Sequence, residues 1–108
     1  MTDLERRAQT AIVKLPREID LANAADVFAQ LISAIAIDTE VLVVDMTATD
    51  FCDSSGIREI MHVRGYAMHT GVEFRVVVPP GGVLRVLQIQ GLDWVLKPYP
   101  TLDEALDR

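Results

Sequence analysis

The sequence predicts an α/β domain built on a four- or five-stranded sheet. Two observations carry that prediction. Short β-branched apolar runs alternate along the chain with stretches of helical periodicity, and the connections between them are short. The chain has 108 residues, 50% apolar and 24% charged, which suits one domain over residues 1–108 with one core.

Taken in order, "TAIVKL" (10–15) is β-branched and partly alternating, so it reads as a strand, and Pro16 ends it. The segment 1–15 has room for one strand or two. "DLANAADVFAQLISAIAI" (20–37) then places Ala24, Val27, Phe28, Leu31, Ile32 and Ile35 on one helical stripe, with Asp20 and Asn23 as N-cap candidates. "EVLVVDM" (40–46) is the continuous apolar run of a central strand covered on at least one face. A second helix is predicted from Gly56 or Ile57 to about Met68, closed by Gly71. "VEFRVVV" (72–78) is the next strand, stopped by Pro79-Pro80 and Gly81-Gly82. A short helix follows over 83–90, then a brief strand in "WVLKPY". The final helix, "TLDEALDR", has a capping box from Thr101 to Glu104.

The net charge of −6 and the scatter of the ten basic residues argue against nucleic acid, which needs a Lys/Arg patch able to displace counterions. The apolar runs are strand-sized, so no membrane span is expected, and the N-terminus lacks the apolar stretch of a secretory leader. The single cysteine, Cys52, supports neither a disulfide framework nor a cysteine metal site, and next to Phe51 it reads as a packing residue. A cytoplasmic location is the expectation.

Chemistry concentrates in one place. The strand "VLVVD" leads into "FCDSSGI", where Asp53, Ser54, Ser55 and Gly56 gather ahead of the second helix. Helix capping accounts for one such acceptor, with Gly56 easing the turn. Three candidates at the end of a central strand go beyond what a cap needs. A phosphate on a serine here would face a helix N-terminus, carrying roughly half a positive charge and free N–H groups, a gain of about 0.3–2 kcal/mol. The turn is thus either a cap or a cap that presents a modifiable serine. Nucleophilic catalysis is disfavoured: the turn is not a Gly-x-Ser-x-Gly elbow, and His62 and His69 fall two turns or more into the helix. The histidines lack a third ligand for zinc, and "PPGGVLRVLQ" lacks the lysine of a phosphate loop, so neither metal nor cofactor is expected. Asp20, in "EIDL", either caps the first helix or adds polar surface near the serine turn. Trp94 and Phe28 are expected in core or edge packing.

The segments "EIDLANAADVFAQL", "VLVVDMTATDFCDSSGI" and "VLRVLQIQGLDWVLKPYPTLDEAL", in that order and spacing, resemble the STAS domain of bacterial anti-sigma factor antagonists, from about residue 10 to 107. The resemblance implies a mixed four- to five-stranded sheet with about four helices mainly on one side, and a switch in place of a catalyst. In that family the first serine of Asp-Ser-(Ser/Thr)-Gly is phosphorylated by a partner that is both anti-sigma factor and serine kinase of the ATPase type. The unphosphorylated antagonist binds this partner and frees the sigma factor, and a metal-dependent serine phosphatase restores the binding form. Carried over, the phosphoacceptor is Ser54. Asp53, Ser55 and Gly56 shape the docking turn, Asp20 lies on the neighbouring loop, and Ile57 and Arg58 are added as partner contacts. The chain departs from the family at Arg17 and Arg58, where glycine or a small residue is frequent. Other members are scaffolds or accessory subunits of signalling and transport complexes, which is the alternative function.

Overall fold

The computed structural model describes residues 3–107, leaving Met1, Thr2 and Arg108, the last of the predicted final helix, outside the described residues. Along the chain run β1 (Asp3–Arg7), β2 (Thr10–Lys14), β3 (Glu18–Ile19), α1 (Ala24–Ala34), β4 (Val41–Asp45) and β5 (Phe51–Cys52). They are followed by α2 (Ser54–Thr70), β6 (Glu73–Val77), α3 (Gly82–Ile89), α4 (Asp93–Leu96) and α5 (Leu102–Leu106).

The apolar runs become the interior of a four-stranded mixed sheet in the order β1-β2-β4-β6. β1 is antiparallel to β2, whereas β2, β4 and β6 are parallel. The segment 1–15 therefore holds two strands. The first, with its Glu5, Arg6 and Arg7 exposed, is a charged edge that carries no apolar alternation. On one face of the sheet Ala11, Val13, Leu42, Val44 and Val76 meet Val27, Leu31, Ile57, Ile60, Val63 and Leu87 from the first three helices, with Leu96 of α4, in the main core. On the other, Ile12, Val43 and Val77 pack against Ala105 of α5. β4 is buried on both faces, which is why its sequence is continuous in place of alternating. Four helices thus share one side and a fifth covers the other, where Nη1 of the buried Arg75 donates to the Ala105 carbonyl at 2.7 Å.

The sequence expectation for the segment after α3 is corrected. "WVLKPY" is not a strand: Leu92 to Lys97 close a single helical turn, with Lys97 N–H donating to the Asp93 carbonyl at 2.8 Å. Only Tyr99 reaches β6, in one bridge to Val77, and Trp94 stands 80% exposed outside the core. The first helix starts where its apolar periodicity places it, at Ala24. Asn23 occupies the cap position, but its Oδ1 accepts the Asp20 N–H at 2.9 Å and its amide donates to the Glu18 carbonyl at 2.8 Å. Residues 20–23 therefore form a separate turn ahead of α1.

β3 and β5, two residues each, pair in parallel beside the main sheet and were invisible to periodicity. They exist because the segments that follow β2 and β4 meet. The Thr49 hydroxyl donates to the Pro16 carbonyl at 2.8 Å, Asp50 N–H to the Arg17 carbonyl at 2.9 Å, and Asp53 N–H to the Ile19 carbonyl at 3.0 Å. α2 seats on this small sheet through Gly56, where an added Cβ would lie 2.6 Å from Ile19 Cγ2 and 2.7 Å from Cys52 Sγ. Gly65, in the same helix, faces open space. Gly56→Ala is expected to cost about 1–3 kcal/mol through overpacking. Gly65→Ala is expected to add about 0.5–1 kcal/mol through helix propensity. Urea unfolding of both variants checks the pair, and equal effects would contradict the packing.

Candidate functional site

α2 begins earlier than its apolar periodicity suggests, because its first turn is built from polar residues. Asp53 is the N-cap, in extended conformation, and Ser54 is the first helical residue. Asp53 Oδ1 accepts the Ser55 N–H at 3.0 Å, the Gly56 N–H at 3.1 Å and the Ser55 hydroxyl at 2.5 Å. These donors hold the Asp53 carboxyl below its ordinary 3.8, the Ser55 hydroxyl contributing most, then the Gly56 amide. The Leu21 amide, on the loop after β3, adds a smaller contribution in the same direction.

The two serines have different fates. Ser55 is half-buried with its hydroxyl committed to Asp53. Ser54 is exposed, and among the described residues no hydrogen bond engages its hydroxyl. The helix N–H groups expected to receive a phosphate are in part already taken by Asp53. A group added to Ser54 would consequently stand out toward solvent.

The other predicted residues divide by burial. Asp20 lies on the adjoining loop, half-exposed, with Oδ1 accepting the Ala22 N–H at 2.9 Å, so its carboxylate shapes that loop and does not cap α1 itself. Gly56 is buried under the turn. Ile57, expected as a partner contact, is only 5% exposed and packs in the core, where it holds α2 down from beneath. Arg58 is exposed one turn beyond Ser54 and on its side of the helix. Cys52 is buried, and burial, then Asp53, pushes its thiol up to about 12, so it packs as a neutral group. His62 is exposed and pairs with Glu59 at 3.1 Å. It sits eight residues beyond Ser54, about 12 Å along the helix, out of reach as a base.

Sequence reasoning missed the roles of Leu21 and Phe51 and the partner of Arg17. Leu21 and Phe51 flank the turn at 81% and 51% exposure, leaving an apolar rim that chain periodicity gave no reason to single out. Arg17 pairs with Asp50 at 3.0 Å across the β3–β5 sheet, a contact between residues 33 apart. Between β5 and α3 a groove of about 220 Å³ opens among Phe51, Val83 and Val86.

The Asp53 cap carries a pH signature. A carboxyl held low in the folded state contributes stability above its unfolded value, near 3.8, and loses it as pH falls through the folded value. Asp53→Ala should therefore lower the urea midpoint at pH 7, and the gap from wild type should close as pH drops below about 4. A gap that persisted unchanged into that acid range would contradict an ionised cap.

No helix among the described residues is long and apolar enough to cross a membrane. The anti-sigma-F factor antagonist RsfB of Mycobacterium tuberculosis, in strains CDC 1551 / Oshkosh and H37Rv, is 29% identical over 96 residues, spanning 89% of this chain and 78% of that protein. Among solved structures, an anti-sigma factor antagonist from Mycobacterium paratuberculosis superposes with a TM-score of 0.89 at 27% identity, over 99% of this chain and 91% of that one. The antagonist SpoIIAA of Bacillus, in its unphosphorylated form, gives a TM-score of 0.81 over 100% of this chain and 95% of that one. At 23% identity this is a likeness of fold. The STAS domain family model matches residues 1–105, from the charged edge strand into the last helix, and the chain belongs to the STAS domain family.

Proposed function

We propose that this chain, acting as one STAS domain in the cytoplasm, is an anti-sigma factor antagonist switched by phosphorylation of Ser54. Unphosphorylated, it binds an anti-sigma factor that is also a serine kinase of the ATPase type. Phosphate on Ser54 ends that binding, and a metal-dependent serine phosphatase restores it. The observation that carries the reading is the asymmetry of the two serines: Ser54 offers a free, exposed hydroxyl on a rigid helix start, while Ser55 is bound to Asp53. The names of the mycobacterial relatives, both anti-sigma factor antagonists, support the same role.

The electrostatics suit a switch. A phosphoserine brings roughly −1.5 to −2 charges. It would stand beside Asp53, held ionised by its donors, with the Ser55 and Gly56 N–H groups already in use. The capping turn therefore adds little neutralisation, and apart from Arg58 one turn away the charge is displayed to the partner. A surface shaped for a neutral hydroxyl and the apolar rim of Leu21 and Phe51 would have to desolvate a dianion. A penalty of a few kcal/mol follows, and each 1.4 kcal/mol is about tenfold in affinity. Arg58 and the Arg17–Asp50 pair frame this surface and are the positions that would distinguish one partner from another.

Binding to the anti-sigma factor should weaken by roughly tenfold or more in Ser54→Asp, remain in Ser54→Ala, and be measurable by calorimetry. Phosphopeptide mass spectrometry of Ser55→Ala should still find phosphate on Ser54. A Ser54→Asp chain that binds as tightly as wild type would sink the switch and favour a scaffold indifferent to charge at this position.

A further inference from the structure

The outer edge of β6, an edge strand of the main sheet, is only partly paired. Glu73 N–H donates to the Glu40 carbonyl and Met46 N–H to the Val77 carbonyl, each at 2.9 Å, so the odd-numbered residues of β6 turn their peptide groups toward β4. By the two-residue alternation of a strand, Phe74, Val76 and Val78 turn theirs outward. Tyr99 takes two of these groups: Val78 N–H donates to its carbonyl, and its own N–H donates to the Val76 carbonyl, both at 2.9 Å. There the pairing stops. Continuing the ladder would bring the Lys97 carbonyl to the Val76 N–H, but Lys97 caps α4 in the left-handed conformation, φ 48°, ψ 60°, which swings the chain off the edge. Among the described residues, the N–H and C=O of Phe74 and the N–H of Val76 are left without a hydrogen-bond partner.

Beside this open edge lies a cleft of about 400 Å³, walled by Arg64 and Met68 of α2 and by Val95, Lys97 and Tyr99. Arg64 and Lys97 form no ion pair among the described residues, in a chain of net charge −6. The one acid at the cleft, Glu73, is neutralised by Arg75 at 2.7 Å. Met68 and Val95 add apolar surface, 60% and 41% exposed. Unpaired strand-edge groups bind extended backbone, and unpaired cations select carboxylates.

We propose that this cleft takes an extended acidic segment of a partner protein, added as a strand along β6 and held at its carboxylates by Arg64 and Lys97. About three or four residues, at about 3.3 Å each, cover the open stretch. Arg64 lies ten residues along α2 from Ser54, about 15 Å, so occupation of the cleft leaves the serine turn uncovered and is independent of its phosphorylation.

The test is an NMR titration of the full chain, following backbone amides, with a short blocked peptide of alternating valine and glutamate. The same peptide with lysine for glutamate and inorganic phosphate are run in parallel. The glutamate peptide should shift the Phe74 and Val76 amides and slow their hydrogen exchange. Affinity should fall roughly tenfold in Lys97→Gln and further in the Arg64→Glu, Lys97→Glu double variant, with resonances of the β2–β4 core unchanged. No response at Phe74 and Val76 at millimolar glutamate peptide, or an equal response to the lysine peptide, would overturn the proposal. Phosphate moving these amides while the glutamate peptide does not would assign the cleft to a small anion instead.

Discussion

One carboxylate oxygen organises the candidate site. Asp53 Oδ1 gathers the Ser55 N–H, the Ser55 hydroxyl and the Gly56 N–H, and the Asp53 N–H itself reaches back to Ile19. Those bonds join the end of β5 to the start of a 17-residue helix and tie both to β3. Because the oxygen commits Ser55 inward, Ser54 is left outward. Gly56 is the steric counterpart of this arrangement, since only a residue without a Cβ lets the helix start approach Ile19 and Cys52 so closely. The capping turn and the presented hydroxyl are consequences of the same contacts.

The two edges of the main sheet are treated differently. β1 covers its flank with charge, and Arg6 folds back to the Ala34 carbonyl at 3.1 Å and the Thr39 hydroxyl at 3.2 Å, closing the end of α1. At the other edge, Tyr99 covers only the end of β6, and a left-handed lysine ends the cover. A charged edge discourages pairing, whereas a partly covered edge beside unpaired cations invites a selected partner. Between the edges, burial of β4 on both faces makes the middle of the sheet a rigid platform that fixes where β5, and hence Asp53, emerges.

Much of this was legible from residue order. The existence of β2, β4 and β6 and of α1, α2, α3 and α5, though not the start of α2 at Ser54, follows from β-branched runs, 3.6-residue periodicity and cap residues such as Gly71, whose φ of 80° closes α2, and Thr101, whose hydroxyl accepts the Glu104 N–H at 3.1 Å. The Asp-Ser-Ser-Gly turn announced itself because three small polar residues between a buried strand and a helix are more than a cap requires. Trp94 and "WVLKPY" misled because aromatic and β-branched residues favour strands, yet a closing Lys97–Asp93 bond and an exposed indole made a helical turn of them.

What the sequence determined by itself is local: which segments can be helix or strand, which faces are apolar, and which turn holds the acceptors. These depend on neighbours within about four residues, through backbone sterics and side-chain periodicity. Tertiary structure alone decided the rest. It made two-residue strands of Glu18–Ile19 and Phe51–Cys52, paired Arg17 with Asp50, and left Phe74 unpaired beside Arg64 and Lys97. Each of these joins residues far apart in the chain, and such contacts form only where the packed core brings them together.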